Sequence, residues 1–336
     1  MNLTPDDHQL PLVIVSHTLP VAWLARLTSH CRTLVGPETR ITSALAPELV
    51  DHLPEAVGLF TLLTVPIDEQ LLDMSPRLRV VSNMAVGVDN VDLTACTGRG
   101  IPVGHTPGVL TEGTADLTMA LLLATARRLF EASQDARQGH WTTWEPSGWL
   151  GADLTGATLG IVGMGKIGTA VAQRASAFGL RLVYSNRTPK PDIERSLSAT
   201  RLPLDELLRQ SDFVSLHVPL TAETRRLIDQ DALRLMKPTA ILINVARGPV
   251  VDSAALYHAL HEKQIAAAGL DVTDPEPLPP TDPLYRLSNC LIVPHIGSAT
   301  VNTRRRMAEL ACDNLLAGLA GQPLPYCANP AVYDPL

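Results

Sequence analysis

The chain has 336 residues, 46% of them hydrophobic and 18% charged, a balance that excludes a disordered polymer and, at this length, predicts two domains rather than one growing core. A formal charge of −7 argues against the clustered positive surface that nucleic acid or an anionic membrane requires, and favours small-molecule chemistry. The five cysteines, Cys31, Cys96, Cys290, Cys312 and Cys327, are scattered without CxxC spacing, which argues against a disulfide framework or a zinc site and predicts buried or incidental thiols.

In chain order, the opening MNLTPDDHQLPLVIV has no basic region, and its apolar run is too short for a signal peptide. The most apolar helix candidate, LTMALLLATARRL at 117–129, falls short of the roughly 20 residues that cross a bilayer. A cytoplasmic location is the default expectation. From residue 12 short apolar runs alternate with amphipathic stretches (LVIVSH, AWLARLTSH, AVGLFTLL, DEQLLDM, LRVVSNM, DLTACTGRG, IPVGHT), the rhythm of βα units on a parallel sheet. A long helix is expected from near Thr111, with Glu112 and Asp116 early and Arg127 and Arg128 late, the charge order a helix dipole favours; it is a candidate link between domains. A Trp- and Gly-rich loop, QGHWTTWEPSGWLGADLTG, comes next. Buried strands then resume at TLGIVG, RLVYS, DFVSLHV, AILINVA, AAAGLDV and CLIVPH, before a closing helix in TRRRMAELACDNLLAGLAG and a Pro-rich tail.

Gly163, Gly165 and Gly168 form GxGxxG between an apolar strand and a helix. In that context the first glycine permits a tight turn, the second lets the backbone approach a pyrophosphate, and the third lets helix and strand pack closely, with the phosphates at the helix N-terminus. A dinucleotide site is therefore expected. The next strand ends in Ser185, Asn186, Arg187 and Thr188, where an NAD site carries an acid for the ribose 2′-hydroxyl. Without that acid, and with a guanidinium able to pair with a 2′-phosphate, the site is expected to prefer NADPH, with NADH weaker. The competing reading makes Arg187 an ordinary solvated arginine.

Three later segments, INVARGPVVD, GLDVTDPEPLP and VPHIGSAT, place Arg247, Glu276 and His295 beyond the ends of predicted strands. Ligands of open α/β sheets bind there, so the three are candidates to converge on one crevice. Singly, each has a plainer explanation: a surface charge, a loop acid, a satisfied histidine.

Taken together, the glycine loop, the Arg-Gly after a strand, the Glu-Pro after DV and the PHIG histidine resemble the D-isomer-specific 2-hydroxyacid dehydrogenase family over nearly the whole chain. ILINVARG, AAAGLDVTDPEPLP, NCLIVPHIGSAT, NLLAGLAGQP, WTTWEP and YSNRT look like its glyoxylate/hydroxypyruvate reductase branch. The resemblance implies an α/β protein of two doubly wound parallel-sheet domains with an active-site cleft between them. A flavodoxin-like substrate domain would comprise residues 1–106 and 300–336, and a Rossmann cofactor domain 107–299. His295 would donate a proton to the substrate carbonyl, Glu276 would pair with it, and Arg247 would bind and polarise the substrate. A carboxylate beside an imidazole favours the protonated ring, and a guanidinium fork suits a carboxylate or keto oxygen.

By the same resemblance, amides near Val86 and Gly87 in NMAVGVDNVD grip the substrate carboxylate. Leu59 belongs to a second wall loop, and Trp141 and Trp144 lie on a loop that reaches across a homodimer interface; core packing or plain dimer contact are the alternatives for the tryptophans. Cofactor contacts implied are Thr114, Met164, Lys166 and Ile167 beside the three glycines, Ser185 to Thr188, His217, Val218, Pro219, Thr224, Val245, Ala246, Asp271 near the carboxamide, and Gly297. A packing role would serve His217 equally well. No metal is implied. The expected reaction is NADPH-dependent reduction of a small 2-keto acid, glyoxylate to glycolate or hydroxypyruvate to D-glycerate. Another D-2-hydroxyacid or phosphite dehydrogenase of the family, or a dinucleotide-sensing corepressor-like binding protein, are the alternatives. A formate dehydrogenase is disfavoured, because that branch has glutamine where Glu276 stands.

Overall fold

The computed structural model describes residues 10–38 and 44–334; residues 1–9, the start of the stretch read above for a targeting signal, lie outside it. By its internal contacts the chain divides into one unit of Met1–Leu110 with Thr300–Leu336 and a second of Thr111–Ala299. Each is built on a parallel sheet.

The first unit carries β1 (Leu12–Val15), β2 (Arg32–Val35), β3 (Gly58–Thr61), β4 (Val80–Asn83) and β5 (Val103–Gly104), in the order β2-β1-β3-β4-β5. β1, β3 and β4 are buried along their whole length, as expected of strands covered on both faces. Asp68 and Asp92 start the helices Glu69–Asp73 and Leu93–Gly98 by accepting the amides of Leu71 and Ala95 at 2.9 and 2.8 Å. The closing helix, Val301–Leu319, returns to this unit and lies against β3 and β4. Its Met307, Ala308, Ala311, Cys312 and Leu315 are buried at the spacing of one helical face.

The second unit holds β6 (Thr158–Val162), β7 (Arg181–Ser185), β8 (Thr200–Arg201), β9 (Phe213–Leu216), β10 (Ile241–Asn244), β11 (Ala267–Leu270) and β12 (Cys290–Ile292), in the order β12-β11-β10-β9-β6-β7-β8. The order reverses between β6 and β9, which pair in parallel; this is the switch point where such sheets bind ligands. Successive strand residues alternate between two apolar clusters. Val162, Val183, Val214 and Leu242 fall in one, and Ile161, Tyr184, Phe213 and Ile243 in the other. Helices therefore cover both faces.

Three local expectations differ. The helix predicted from Thr111 ends at Ala126, before Arg127 and Arg128, and lies wholly within the second unit. The Ala126 carbonyl accepts the Ala152 amide at 2.9 Å, and Arg128 turns left-handed (φ 52°) to open a second helix, Leu129–Arg137. Arg128 is held there by Glu131 at 2.8 Å and by the Trp149 ring, 4.9 Å from its guanidinium. β2 and β8 had no counterpart among the predicted strands; both are edge strands, partly or fully exposed. Among the described residues no helix is long and apolar enough to cross a membrane. Cys31, Cys96, Cys290 and Cys312 are buried, and burial pushes their thiols up to about 11, 11, 12 and 12, so they stay protonated and inert.

Candidate active site

The switch point is occupied by the glycine loop. Gly163 has φ 99°, and a Cβ there would lie 2.8 Å from the backbone of His217; a Cβ on Gly168 would lie 2.2 Å from the Gly163 carbonyl. Neither position accepts a side chain. Gly165 differs, because nothing lies within 4 Å of where its Cβ would be. It precedes the 12-residue helix Lys166–Ala177 without a side-chain cap, leaving the amides of the first turn to an external acceptor. Open space over an uncapped helix N-terminus is what a pyrophosphate requires, so these residues fit a dinucleotide. Lys166 is exposed at the first turn, whereas the side chain of Met164 is in the core and only its backbone can serve a ligand.

Beyond β7 the turn Ser185–Thr188 is tied together. Asn186 Nδ2 donates to the Thr188 carbonyl at 2.8 Å, and Arg201 donates from Nε and Nη2 to the carbonyls of Asn186 and Arg187, both at 3.0 Å. Buried Tyr184 accepts the Lys190 amide at 2.8 Å and donates to Glu194 at 2.5 Å. Tyr184 and Arg201 escaped the sequence reading, since nothing in their spacing distinguishes them. Arg187 is exposed. Exposed Glu223 is held below the usual carboxylate range by the Thr221 hydroxyl first and, in smaller part, by the charge on Arg187. The 219–224 loop therefore lies within electrostatic reach of the turn, and Thr224 Oγ1 braces it by donating to the Pro219 carbonyl at 2.6 Å. Partly buried His217, after β9, meets Ser215 Oγ through Nε2 at 2.8 Å; desolvation pushes its imidazole down to about 3, so it is neutral. Val218 packs partly buried against the core.

The three chemical side chains all belong to the second unit. His295 Nδ1 lies 2.5 Å from Glu276 Oε1, with the two side chains 25% and 33% exposed. His295 adopts φ 51°, a conformation that needs support in a residue with a Cβ. Asp271, at the end of β11, supplies it: its carbonyl accepts the His295 amide at 2.9 Å, and its carboxylate accepts the Ile296 and Gly297 amides at 2.6 and 2.9 Å. Thr114 Oγ1 completes the bracket by donating to the Gly297 carbonyl at 3.3 Å. Burial pushes the Asp271 carboxyl above the usual range, opposed by the two amide bonds and the charge on His295. Arg247 follows β10, its carbonyl accepting Asn244 Nδ2 at 2.9 Å and its Nη1 donating to the Ala246 carbonyl at 2.8 Å. Gly248 lets this turn press against the Glu276 segment, since a Cβ would lie 1.8 Å from the Thr273 carbonyl. Val245 and Ala246 are buried, so their contribution to a ligand is through the backbone.

Val86 and Gly87 lie in the first unit, on the loop after β4. Leu59 is corrected: it sits in mid-β3 at 0% exposure, packed in the core, and has no free face to offer a substrate. Trp141 and Trp144 are 73% and 80% exposed, so neither is core packing within this chain. Among the described residues no three His, Cys, Asp or Glu side chains cluster to hold a metal ion.

A glycine loop at the switch point of one parallel sheet, with a His–Glu pair beyond other strand ends of the same sheet, defines a dinucleotide-dependent oxidoreductase. The sequence profile of the D-isomer specific 2-hydroxyacid dehydrogenase NAD binding domain matches residues 119–297. A glyoxylate reductase from Korarchaeum cryptofilum is 46% identical over 96% of this chain and 97% of its own. A crystal structure from Thermus thermophilus is 51% identical, with a TM-score of 0.88 over 94% of this chain and 99% of its own. An NADPH-dependent glyoxylate/hydroxypyruvate reductase from Sinorhizobium meliloti, solved with NADP and malonate, is 35% identical, with a TM-score of 0.80 over 95% of this chain and 96% of its own. The chain belongs to the D-isomer-specific 2-hydroxyacid dehydrogenase family. It is an NAD(P)-dependent oxidoreductase of small 2-keto or 2-hydroxy acids.

Proposed function

We propose that the protein is an NADPH-preferring reductase of glyoxylate and hydroxypyruvate, with Arg247, Glu276 and His295 as its working side chains. The observation that carries this reading is the 2.5 Å contact between His295 Nδ1 and Glu276 Oε1. With Nδ1 committed to a carboxylate, Nε2 is the nitrogen left to address substrate and to give up a proton there. A dinucleotide held at the Gly163–Gly168 loop would supply the hydride. His295 gives the proton to the carbonyl oxygen, which becomes the hydroxyl of the product; the ring then recovers its proton from solvent. Arg247 holds the substrate by a charge-assisted bond that orients C2. The amides of Val86 and Gly87 take the substrate carboxylate, and Asp271 and Thr114 hold the His295 turn.

The cofactor preference rests on the Ser185–Thr188 turn, which offers Arg187 and no acid, and on the similarity to the NADPH-dependent reductase from Sinorhizobium meliloti. Exposed Leu129, Phe130, Trp141, Trp144 and Leu150 support a homodimer, since one chain leaves them in water; a monomer in sedimentation at working concentration would refute that. The function is tested by following oxidation of NADPH and NADH side by side with glyoxylate and with hydroxypyruvate. Turnover with NADPH favoured at least about tenfold in kcat/KM is expected from a charge-assisted 2′-phosphate contact. No turnover with either cofactor would refute the enzyme, and NADH favoured would refute the selector.

A further inference from the structure

The loop after β4 has an ordered set of bonds that its sequence does not announce. Three consecutive carbonyls are claimed by donors from within the first unit. The Ala85 carbonyl accepts the Thr106 amide at 2.8 Å, the Val86 carbonyl accepts His105 Nδ1 at 3.0 Å, and the Gly87 carbonyl accepts Asn83 Nδ2 at 3.0 Å. Asn83 is fully buried and shares its amide with Asn90, which anchors in turn to the carbonyls of Leu62 and Val65 at 3.2 and 2.9 Å. The amides of Val86, Gly87 and Val88 donate to no acceptor among the described residues.

These two facts are one geometric fact. In a planar trans peptide the C=O of one residue and the N–H of the next point opposite ways. A carbonyl drawn inward therefore turns the following N–H outward. The three claimed carbonyls belong to the same three peptide planes as the three unclaimed amides. Successive outward amides form a concave seat for an anion, and their number suits a carboxylate.

Two of the clamps are inseparable from the fold: one is a backbone amide and the other a buried strand residue. His105 is the third. A carbonyl can only accept, so Nδ1 carries the hydrogen. The His105 backbone is pinned by the C-terminal segment, its amide donating to the Tyr326 carbonyl at 3.1 Å and its carbonyl accepting buried Asn314 Nδ2 at 3.0 Å. Its ring is partly exposed, so it can be replaced without opening the core.

We infer that His105 is a positioning residue for keto-acid binding: by holding the Val86 carbonyl it aims the Gly87 amide at the substrate carboxylate. This rests on the proposal above that the loop takes that carboxylate. In steady-state assays with glyoxylate, His105→Ala is expected to raise KM about tenfold, the yield of one hydrogen bond at the upper end of its net range, with kcat and the KM for NADPH within about twofold. His105→Asn, which places an amide nitrogen near the position of Nδ1, is expected to return KM to within about twofold of wild type. His105→Asp offers an acceptor and a repelling charge, so its KM should equal or exceed that of alanine. An unchanged KM in His105→Ala, a loss confined to kcat, or an asparagine variant no better than alanine would overturn the inference. Binding is read separately by the thermal shift that oxamate, a small keto-acid-like carboxylate, produces in the NADPH-loaded protein. Wild type lacking turnover would refute the proposed reductase, whereas an oxamate shift equal in wild type and His105→Ala would refute the role of His105.

Discussion

Two loops of this molecule leave consecutive backbone amides without an acceptor among the described residues, and they are built in opposite ways. The Gly163–Gly168 loop relies on missing side chains: a left-handed turn at Gly163, close contact at Gly168, and a 12-residue helix whose first amides lack a cap. The loop after β4 has no such helix. It relies on donors from Asn83, His105 and Thr106 that pin its carbonyls. The first strategy is local and leaves a mark in five or six consecutive residues, because only glycine fits. The second gathers its parts from across a unit, and any donor of the right reach can fill each place.

The largest effect that separates the two is expected from Gly163→Ala. Its Cβ meets the His217 backbone and the φ of 99° disfavours it, so the NADPH Kd measured by fluorescence titration should rise about 100-fold or more, as strain plus a steric clash imply. Little change would mean that the glycine loop tolerates a side chain and that the contrast fails. A smaller effect is expected from Arg187→Asp, which alters the partner and not the scaffold. The NADPH-to-NADH ratio of kcat/KM should fall at least about tenfold, and an unchanged ratio would show that the turn braced by Arg201 is not the selector.

The smallest effect concerns His217, which backs the glycine loop. Its folded pKa of about 3 lies below the usual 6.5, so below pH 6.5 the unfolded chain takes up a proton that the folded chain does not. Stability is therefore full above pH 6.5 and declines as pH falls toward 3. Between pH 7 and pH 5 the loss should be about 1–2 kcal/mol, read by urea unfolding and absent in His217→Gln. A slope of the same size in that variant would place its origin elsewhere.

The same distinction explains which features were legible in the sequence. β6, β9, β10 and β11 are buried apolar runs, and the reversal between β6 and β9 follows once a glycine loop stands after β6. His295 and Glu276 announced themselves by their Pro- and Gly-flanked contexts. β2 and β8 did not, because edge strands need no continuous apolar run. Leu59 was misread because a segment can be recognised while the direction of one side chain cannot; mid-strand burial removes it from any surface. The supports of these candidate residues, Asp271 under His295, Arg201 under the Ser185–Thr188 turn and His105 under Val86, join residues 24, 14 and 19 positions apart. Such pairings have no period, so they become visible only when the sheets are formed.

The central claim is that His295, oriented by Glu276, gives the proton that completes keto-acid reduction. Its most direct test is His295→Ala, with single-turnover oxidation of NADPH by glyoxylate and NADPH affinity measured on the same preparation. The expected result is a fall of about 10²–10⁴ in the rate of reduction, the range for a lost general acid, with NADPH affinity within about twofold of wild type. A rate within a few-fold of wild type would contradict the account.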